Sequence, residues 1–417
     1  MRSSRIRTFY IQPAPLFGGA ERQAARQALF LPPLGVDLTV LAGPGQAIAE
    51  WLRGTKLERF VHSTNFPGSW APQRGLRRLT LPWRYFSVGL RARRQIAELV
   101  KEQRIEIIVA SLPFAWITGT LVARRAGIPI VWRAGGARIN WLQKTGLFVL
   151  TEWLRPDLLL CNGEAVRRTF QPLVRAPAAI VPNGVDTAAF KPGAGDPRRY
   201  RESAKEFIVG YAGRLSPEKR VPDLIALAAR LRDVHPEVRV LVAGEGSRRA
   251  EYEAAARKAG AHNLTFLGFV SDMPSFYAAC DVVVLPSGAE GCSNLLLEAM
   301  ASGKAVVAAD IAPVLELVRP GTNGLTYPLG NVAELANAVA LLLTRPELRQ
   351  ALAANAQRCA QGFTARAAAT RLAILLRGLV ARRATLPSPA PAIAPLARSE
   401  TRTARLASSN ARPGTLR

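Results

Sequence analysis

Short apolar runs alternate along the chain with longer stretches in which apolar residues recur every three or four positions. The first pattern is that of buried parallel strands and the second that of helices packed on them. In the first half, strands are predicted at Thr8–Gln12, Leu38–Leu41, Ile105–Ser111, Ile128–Arg133, Leu158–Cys161 and Ala179–Val181. Helices are predicted at Ala20–Leu31, Tyr85–Lys101 and Thr118–Ala126. In the second half the strands read Phe207–Ala212, Val238–Ala243, Leu264–Leu267, Val282–Leu285, Ala305–Ala308 and Gly324–Tyr327. The helices there read Val221–Val234, Arg248–Ala259, Met273–Ala279, Ser293–Ala301, Val314–Val318, Val332–Leu343 and Glu347–Ala360. Two such series in tandem predict an α/β chain of two Rossmann-like domains facing across a cleft at the carboxyl ends of their strands.

Turn residues divide the series. Val181–Pro197 is rich in Gly, Pro and Asp, which places an N-terminal domain at 1–182, a linker at 183–200 and a C-terminal domain at 201–362. A last helix is expected over 363–384. From 385 to 417 the chain is Ala, Pro, Ser and Arg without apolar period, the composition of a disordered basic tail.

Charge narrows the partner. The chain has 417 residues, 56 Lys+Arg against 30 Asp+Glu, and a formal net charge of +26. Residues 1–200 hold 29 basic and 12 acidic side chains, so most of the excess lies in the N-terminal half. Such a balance points to an anionic partner: nucleic acid, phosphorylated substrate or acidic lipid. The cysteines, Cys161, Cys280, Cys292 and Cys359, are far apart and have no CxxC or histidine at ligand spacing, as expected of reduced thiols in a cytoplasmic protein. The basic N-terminus is followed by Gln12, Pro13 and Pro15, a poor signal-peptide core, and no run is long enough to cross a membrane.

Three segments carry candidate chemistry. Leu16-Phe17-Gly18-Gly19-Ala20-Glu21 opens the first helix, where two glycines let backbone amides approach a ligand; an ordinary tight turn would read the same way. Gly210–Arg220 ends a strand at Gly213 and sets Arg214 and Lys219 around a turn, a planar fork and a point charge suited to a diphosphate, or else a solvated loop. The third, Pro286–Gly303, follows a strand. Ser293 is a candidate N-cap, which leaves the amides of Asn294 and Leu295 free for phosphate. Glu290 stands before that helix, placed for sugar hydroxyls. Glu298 lies inside an apolar run, where it could hold a ribose diol and where a buried carboxylate needs a partner.

Together these residues resemble a family. Glu290 and Glu298 form a Glu-x7-Glu motif which, with Pro286, Gly291, Asn294, Ala299 and Gly303, is similar to the donor site of retaining, family 4-type glycosyltransferases (glycosyl transferases group 1) of the GT-B fold. Arg214 and Lys219 match that family's cation pair on the donor diphosphate, Gly18-Gly19-Ala20-Glu21 its glycine loop, and Val181–Asp186 its interdomain entry. Gly268, Phe269 and Val270 fall where such enzymes meet the nucleotide base through backbone groups.

The resemblance implies a hexosyltransferase acting on a nucleotide diphosphate sugar and a glycan or lipid-linked acceptor, in cell-envelope or exopolysaccharide synthesis. Arg214, Lys219 and Glu290 would serve catalysis, with retention at the anomeric carbon. No Asp-x-Asp occurs, and neither a cofactor nor a metal is expected. An epimerase or phosphorylase of the same frame remains an alternative, and a nucleic-acid-binding protein a distant one.

The N-terminal half departs from the pattern. Many relatives carry a histidine at the cleft end of a middle strand, whereas His62, His235 and His262 stand elsewhere. Arg133 takes that place, as an acceptor- or sugar-side contact; a guanidinium cannot act as a base at neutral pH. Residues 70–104 interleave arginines with Trp83, Tyr85, Phe86 and leucines. That suits an anionic membrane surface on the cytoplasmic side, or a helix whose apolar face packs on the sheet.

Overall fold

The structure, a computed structural model, describes residues 5–12, 19–42, 61–63, 77–136 and 139–385. The stretch 386–417, expected to be a tail, lies outside the described residues. So do Gly18, residues 70–76 of the basic segment, and the side chains of 77–88 and 90.

The N-terminal domain runs β1 (Ile6–Gln12), α1 (Gly19–Phe30), β2 (Val36–Ala42), β3 (Val61–Ser63), α2 (Arg77–Glu102), β4 (Ile107–Ser111), α3 (Pro113–Ala126), β5 (Ile130–Ala134), α4 (Trp141–Trp153), β6 (Leu158–Cys161), α5 (Glu164–Phe170) and β7 (Ala178–Ile180). The C-terminal domain runs β8 (Phe207–Ala212), α6 (Val221–Arg232), β9 (Val238–Ala243), α7 (Arg249–Lys258), β10 (Leu264–Gly268), α8 (Met273–Ala279), β11 (Val282–Leu285), α9 (Asn294–Ala301), β12 (Ala305–Ala309), α10 (Ala312–Leu315), β13 (Leu325–Tyr327), α11 (Val332–Thr344) and α12 (Pro346–Ala360). A last helix, α13 (Ala365–Thr385), follows.

Both sheets are wholly parallel. The first has the order β3-β2-β1-β4-β5-β6-β7 and the second β10-β9-β8-β11-β12-β13. Each therefore reverses direction beside its first strand, between β1 and β4 and between β8 and β11. Ligands of open α/β sheets bind at that switch point. Strand alternation builds the layers: on β1, Phe9 and Ile11 enter one apolar layer of the N-terminal domain while Ile6 and Tyr10 enter the other. The C-terminal domain has a single large core.

Three elements went unforeseen. Strand β3 is only three residues long. Helix α4, WLQKTGLFVLTEW, carries apolar side chains on nearly every side, so no 3.6-residue period marks it. Its start was legible all the same: Asn140 accepts from the Gln143 amide at 2.9 Å and Gln143 Oε1 accepts from the Asn140 amide at 3.0 Å, a capping box. The seven-residue helix α5 is too short to show a period. Helix α2 begins at Arg77, eight residues before its expected start. In its described half Ala92, Ile96, Leu99 and Val100 face the core, while Arg91, Arg94 and Lys101 face solvent.

The chain crosses between domains twice, and the two crossings touch. The Val185 amide donates to the Phe363 carbonyl at 2.8 Å, and the Ala365 amide to the Val185 carbonyl at 2.8 Å. A Cβ at Gly184 would lie 2.5 Å from the Ala365 Cα, so glycine is required there. Beyond this point α13 packs on the first domain: Ala368, Ala369, Leu372, Ala373 and Leu376 share a core with Ile6, Tyr10, Ala24 and Leu31. Leu376 is fully buried in that layer. Leu376→Ala should lower unfolding stability by about 2–5 kcal/mol, the cost of a deleted core leucine. Urea denaturation measures it, and a loss near zero would separate α13 from the first domain's core.

Candidate functional site

The carboxyl edges of the two sheets meet, and residues from the loops beyond them form the site. On the C-terminal side, β8 ends at Ala212-Gly213, and the chain turns through Arg214 and Lys219 before α6. The Glu218 carbonyl accepts from the Gly288 amide at 2.9 Å, which clips this turn to the loop after β11. That contact brings Lys219 Nζ to 2.6 Å from Glu290 Oε1, with Glu290 side-chain exposure only 9%. Arg214 stands exposed on the same turn.

The backbone of this turn is tightly constrained. Arg220 adopts a left-handed φ of 52°, a conformation costing a non-glycine residue about 1–3 kcal/mol. Paired bonds from its guanidinium to Asp223, 2.7 and 2.9 Å, offset that cost. Burial disfavours the charge of Glu218, but the Ser216 hydroxyl and the nearby Arg214 and Lys219 outweigh it and hold its carboxyl below the ordinary range. Besides Arg220, which is paired with Asp223, the turn thus carries two cations, Arg214 and Lys219, and one firmly ionised carboxylate.

Helix α9 supplies amides. Ser293 is its N-cap and accepts from the Leu296 amide at 3.5 Å. The amides of Asn294 and Leu295 lie in the first turn, where no carbonyl of the same helix reaches them. Gly291 packs directly against the first domain: a Cβ there would collide with the Gly135 carbonyl oxygen and lie 2.6 Å from Asn162 Oδ1. Gly213 donates to the Ala243 carbonyl at 2.9 Å. Gly268, with φ +73°, accepts from the Gly244 amide at 2.7 Å. Beside it the Phe269 ring is 59% exposed, whereas Val270 is buried. The structure thus gathers Gly213, Arg214, Lys219, Glu290, Gly291, Ser293, Asn294 and Leu295 around one edge. The 268–270 segment stands at the end of β10, on the outer side of the same sheet.

Glu298 occupies a different kind of place. It is 1% exposed, and three groups take its carboxylate: Arg26 at Oε1, Arg22 at 3.6 Å from Oε2, and the Tyr277 hydroxyl at 3.0 Å from Oε2. Burial, with Glu298 beside it, raises the Tyr277 phenol well above its usual range, so it remains a donor. Arg26 also donates to the Gly184 carbonyl at 3.1 Å and lies 5.5 Å over the Phe190 ring. One guanidinium therefore ties α1, the linker and α9 together.

A second polar chain crosses between the domains. Arg133, 7% exposed at the end of β5, donates to the Tyr10 hydroxyl at 2.7 Å and to Asn183 Oδ1 at 3.3 Å. Asn183 Nδ2 donates to the Cys292 carbonyl at 2.7 Å and to Asn294 Oδ1 at 3.1 Å. Asn294 Nδ2 donates to the Gly19 carbonyl at 2.9 Å. Arg133 and Gly19 thereby reach the helix that carries Asn294. A third link is Glu316, whose oxygens accept from the amides of Glu164 at 2.8 Å and Ala165 at 2.6 Å, capping α5 from the other domain.

Sequence reasoning took Asn183 only as part of the interdomain segment Val181–Asp186, and it did not single out Arg22, Arg26, Tyr10, Tyr277 or Glu316. Two arginines one turn apart, among the alanines of a helix that follows a Gly-Gly pair, were the available signal for the first two. Nothing in the local sequence marks the others, because their partners are more than twenty residues distant or in the other domain.

Two outcomes follow from this geometry. Removing one partner of a buried ion pair leaves an uncompensated charge, so Arg26→Ala should destabilise the protein by about 3–5 kcal/mol in chemical denaturation. A change below about 1 kcal/mol would mean that Arg22 and Tyr277 suffice. Burial pushes the Cys292 thiol up to about 12, so thiolate is scarce at neutral pH. Iodoacetamide should label Cys292 in the native protein no faster than global unfolding exposes it, as read by peptide mass spectrometry.

Comparison with known proteins assigns both halves of the chain to described families. Residues 17–189 match the family model "Glycosyltransferase Family 4" and residues 196–358 the model "Glycosyl transferases group 1". EpsD of Bacillus subtilis, a protein named as a glycosyltransferase, is 28% identical over 298 residues, 65% of this chain and 76% of its own length. The D-inositol 3-phosphate glycosyltransferase of Kribbella flavida is 33% identical over 226 residues, half of this chain and 53% of its own. The α-D-kanosaminyltransferase of Streptomyces kanamyceticus is 36% identical over 152 residues, 36% of this chain and 39% of its own. Among solved structures, Anabaena HepE in complex with UDP superposes with a TM-score of 0.73 at 25% identity, over 90% of this chain and all of that one. The sucrose-phosphate synthase of Thermosynechococcus elongatus shares the fold, with a TM-score of 0.72 at 19% identity over 91% of this chain and all of that one. With two parallel-sheet domains meeting at their switch points and both halves matched, the chain belongs to the group 1, family 4-type glycosyltransferases of the GT-B fold and is a transferase enzyme.

Proposed function

We propose that the chain transfers a hexose-type sugar from a nucleotide diphosphate sugar to a glycan or lipid-linked acceptor, with retention at the anomeric carbon. The Lys219–Glu290 pair carries this reading, because with Arg214 on the same turn and the head of α9 after the neighbouring strand, two cations, helix amides and one carboxylate share one sheet edge. A diphosphate seated there has its charge met by Arg214, Lys219 and the Asn294 and Leu295 amides. Glu290, one residue from the domain contact at Gly291, faces the donor sugar's hydroxyls. As the glycosidic bond breaks, charge grows on the leaving phosphate, and fixed cations stabilise that state more than the ground state. These cations take the role that a metal fills in other transferases, and neither metal nor cofactor is part of the proposal.

The acceptor hydroxyl attacks from the face that the diphosphate leaves. Its oxygen bonds to the anomeric carbon, the carbon–phosphate-oxygen bond breaks, and the hydroxyl proton passes to that phosphate oxygen. No protein base is required, which suits a site where Arg133 stands in place of a histidine. The base lies by Gly268–Val270, with the exposed Phe269 ring beside it. Glu298 enters as the buried anchor of α1; to hold a ribose it must give up one of its three partners. HepE has been seen with UDP and with UDP-glucose, and other relatives are named glycogen synthase, which supports a nucleotide-sugar donor and work on a polymer or envelope glycan. We place the enzyme on the cytoplasmic side, peripheral to the membrane; among the described residues no helix is long and apolar enough to cross a bilayer.

A panel of nucleotide sugars, assayed for nucleoside diphosphate release with and without lipid extract, tests the reading. Release should depend on acceptor, and NMR of the product should show the donor's anomeric configuration. Turnover without acceptor would point to an epimerase, and salt-sensitive binding of DNA or RNA without response to any nucleotide to a nucleic-acid binder. Lys219→Ala should lower kcat/KM by about 100-fold or more with the fold intact; an unchanged value removes Lys219 from the chemistry.

A further inference from the structure

Among the described residues of the first domain, one helix face stands exposed. Trp141 is 71% exposed, Trp153 77%, Val149 55% and Phe148 44%, and all four belong to α4. At 100° per residue they fall on one side of the helix, together with Thr145 and Glu152. Leu147 and Thr151 lie on the other side and bury against the domain. Thr151 also donates to the Leu173 carbonyl at 2.9 Å, so the inner side holds the helix without the outer aromatics. The two tryptophans stand at opposite ends, about 18 Å apart along the axis.

The surroundings are cationic. Lys144 lies exposed on α4 itself. Glu152 is met by Arg175 at 2.6 Å and Arg155 at 3.9 Å, two cations for one carboxylate. Arg175 also lies 5.7 Å over the Phe148 ring. Arg124 donates to the Trp153 carbonyl at 2.8 Å, and Arg125 is exposed beside it. An apolar face with an indole at each end and a collar of Lys and Arg matches the layering of an anionic bilayer surface. Indoles sit at headgroup depth, aliphatic and phenyl groups go below them, and cations reach phosphate.

We propose that the outward face of α4 seats the N-terminal domain on an anionic lipid surface. In the described half of α2 the apolar residues Ala92, Ile96, Leu99 and Val100 face the core, and the aromatic residues expected at a lipid surface, Trp83, Tyr85 and Phe86, have side chains outside the described ones, so the case for α4 rests on its own residues. Helix α4 begins eight residues after Arg133, whose side chain joins the interdomain chain to Asn183, so the seat brings the cleft beside the bilayer. The inference takes its purpose from a lipid-linked acceptor, but its test does not depend on one.

Purified full-length protein is floated with vesicles of phosphatidylcholine containing phosphatidylglycerol, and with phosphatidylcholine alone. Binding should need the anionic lipid, fall with salt, and drop at least about tenfold in the double variant Trp141→Ser, Trp153→Ser. Brominated lipid should quench tryptophan fluorescence of the parent but much less that of the variant. The variant Phe148→Ser, Val149→Ser repeats the test with other exposed residues, and a thermal melt establishes that each variant is folded. Parent protein that ignores anionic vesicles, or folded variants that bind them as well as the parent, would overturn the proposal. So would a dimer in light scattering that the same substitutions convert to monomer, since a second copy would then cover the face. UDP-induced thermal shift is measured in parallel: vesicle binding without any nucleotide response sinks the donor reading and leaves this one, and the reverse result does the opposite.

Discussion

A single carboxylate removed from water organises the centre of this molecule. Glu298 sits in the apolar run of α9 with 1% of its surface exposed, and an isolated charge there would cost several kcal/mol. Its neutralisation comes from the other domain, through Arg26 and Arg22 on α1. Because Arg26 also takes the Gly184 carbonyl, satisfying Glu298 fixes where the linker runs. With α1 held in this way, Gly19 is close enough to α9 for its carbonyl to accept from Asn294. The head of α9 and the start of α1 are thus positioned by the same charge balance.

The remaining interdomain contacts are of a weaker kind. Arg133, Asn183 and Asn294 form neutral and singly charged hydrogen bonds, and Glu316 caps a helix at an exposed edge. Each is worth on the order of 1 kcal/mol, and such contacts can break and reform as a cleft opens. The pair Lys219–Glu290 belongs to neither group. Both residues sit on one domain, so its geometry survives any movement of the halves.

The sequence disclosed whatever depends on near neighbours. Strands Leu158–Cys161, Phe207–Ala212, Val238–Ala243 and Val282–Leu285, and helix Met273–Ala279, lie where the apolar periods put them. Parallel strands buried on both faces are apolar throughout, and that signal is strong. Glu290, Arg214 and Lys219 were visible because each lies within a few residues of a strand end. Helix α4 was hidden for the opposite reason: its exposed face is as apolar as its buried one, so no amphipathic period exists to be read. Arg26 was hidden because its partner is 272 residues away. The need for a partner at Glu298 was evident from its neighbours, and only the fold names that partner.

Helix α13 sets the order in which the molecule can be finished. The layer containing Ile6, Tyr10 and Ala24 is sealed by residues 368–376, which the ribosome makes after the whole second domain. At about 5–20 residues per second, the nascent first domain waits roughly 10–40 s with that apolar layer open. Contacts spanning more than 340 residues are slow to form, and an uncovered layer invites aggregation meanwhile. The second domain can complete its own core during that interval, so its maturation precedes that of the domain that begins the chain.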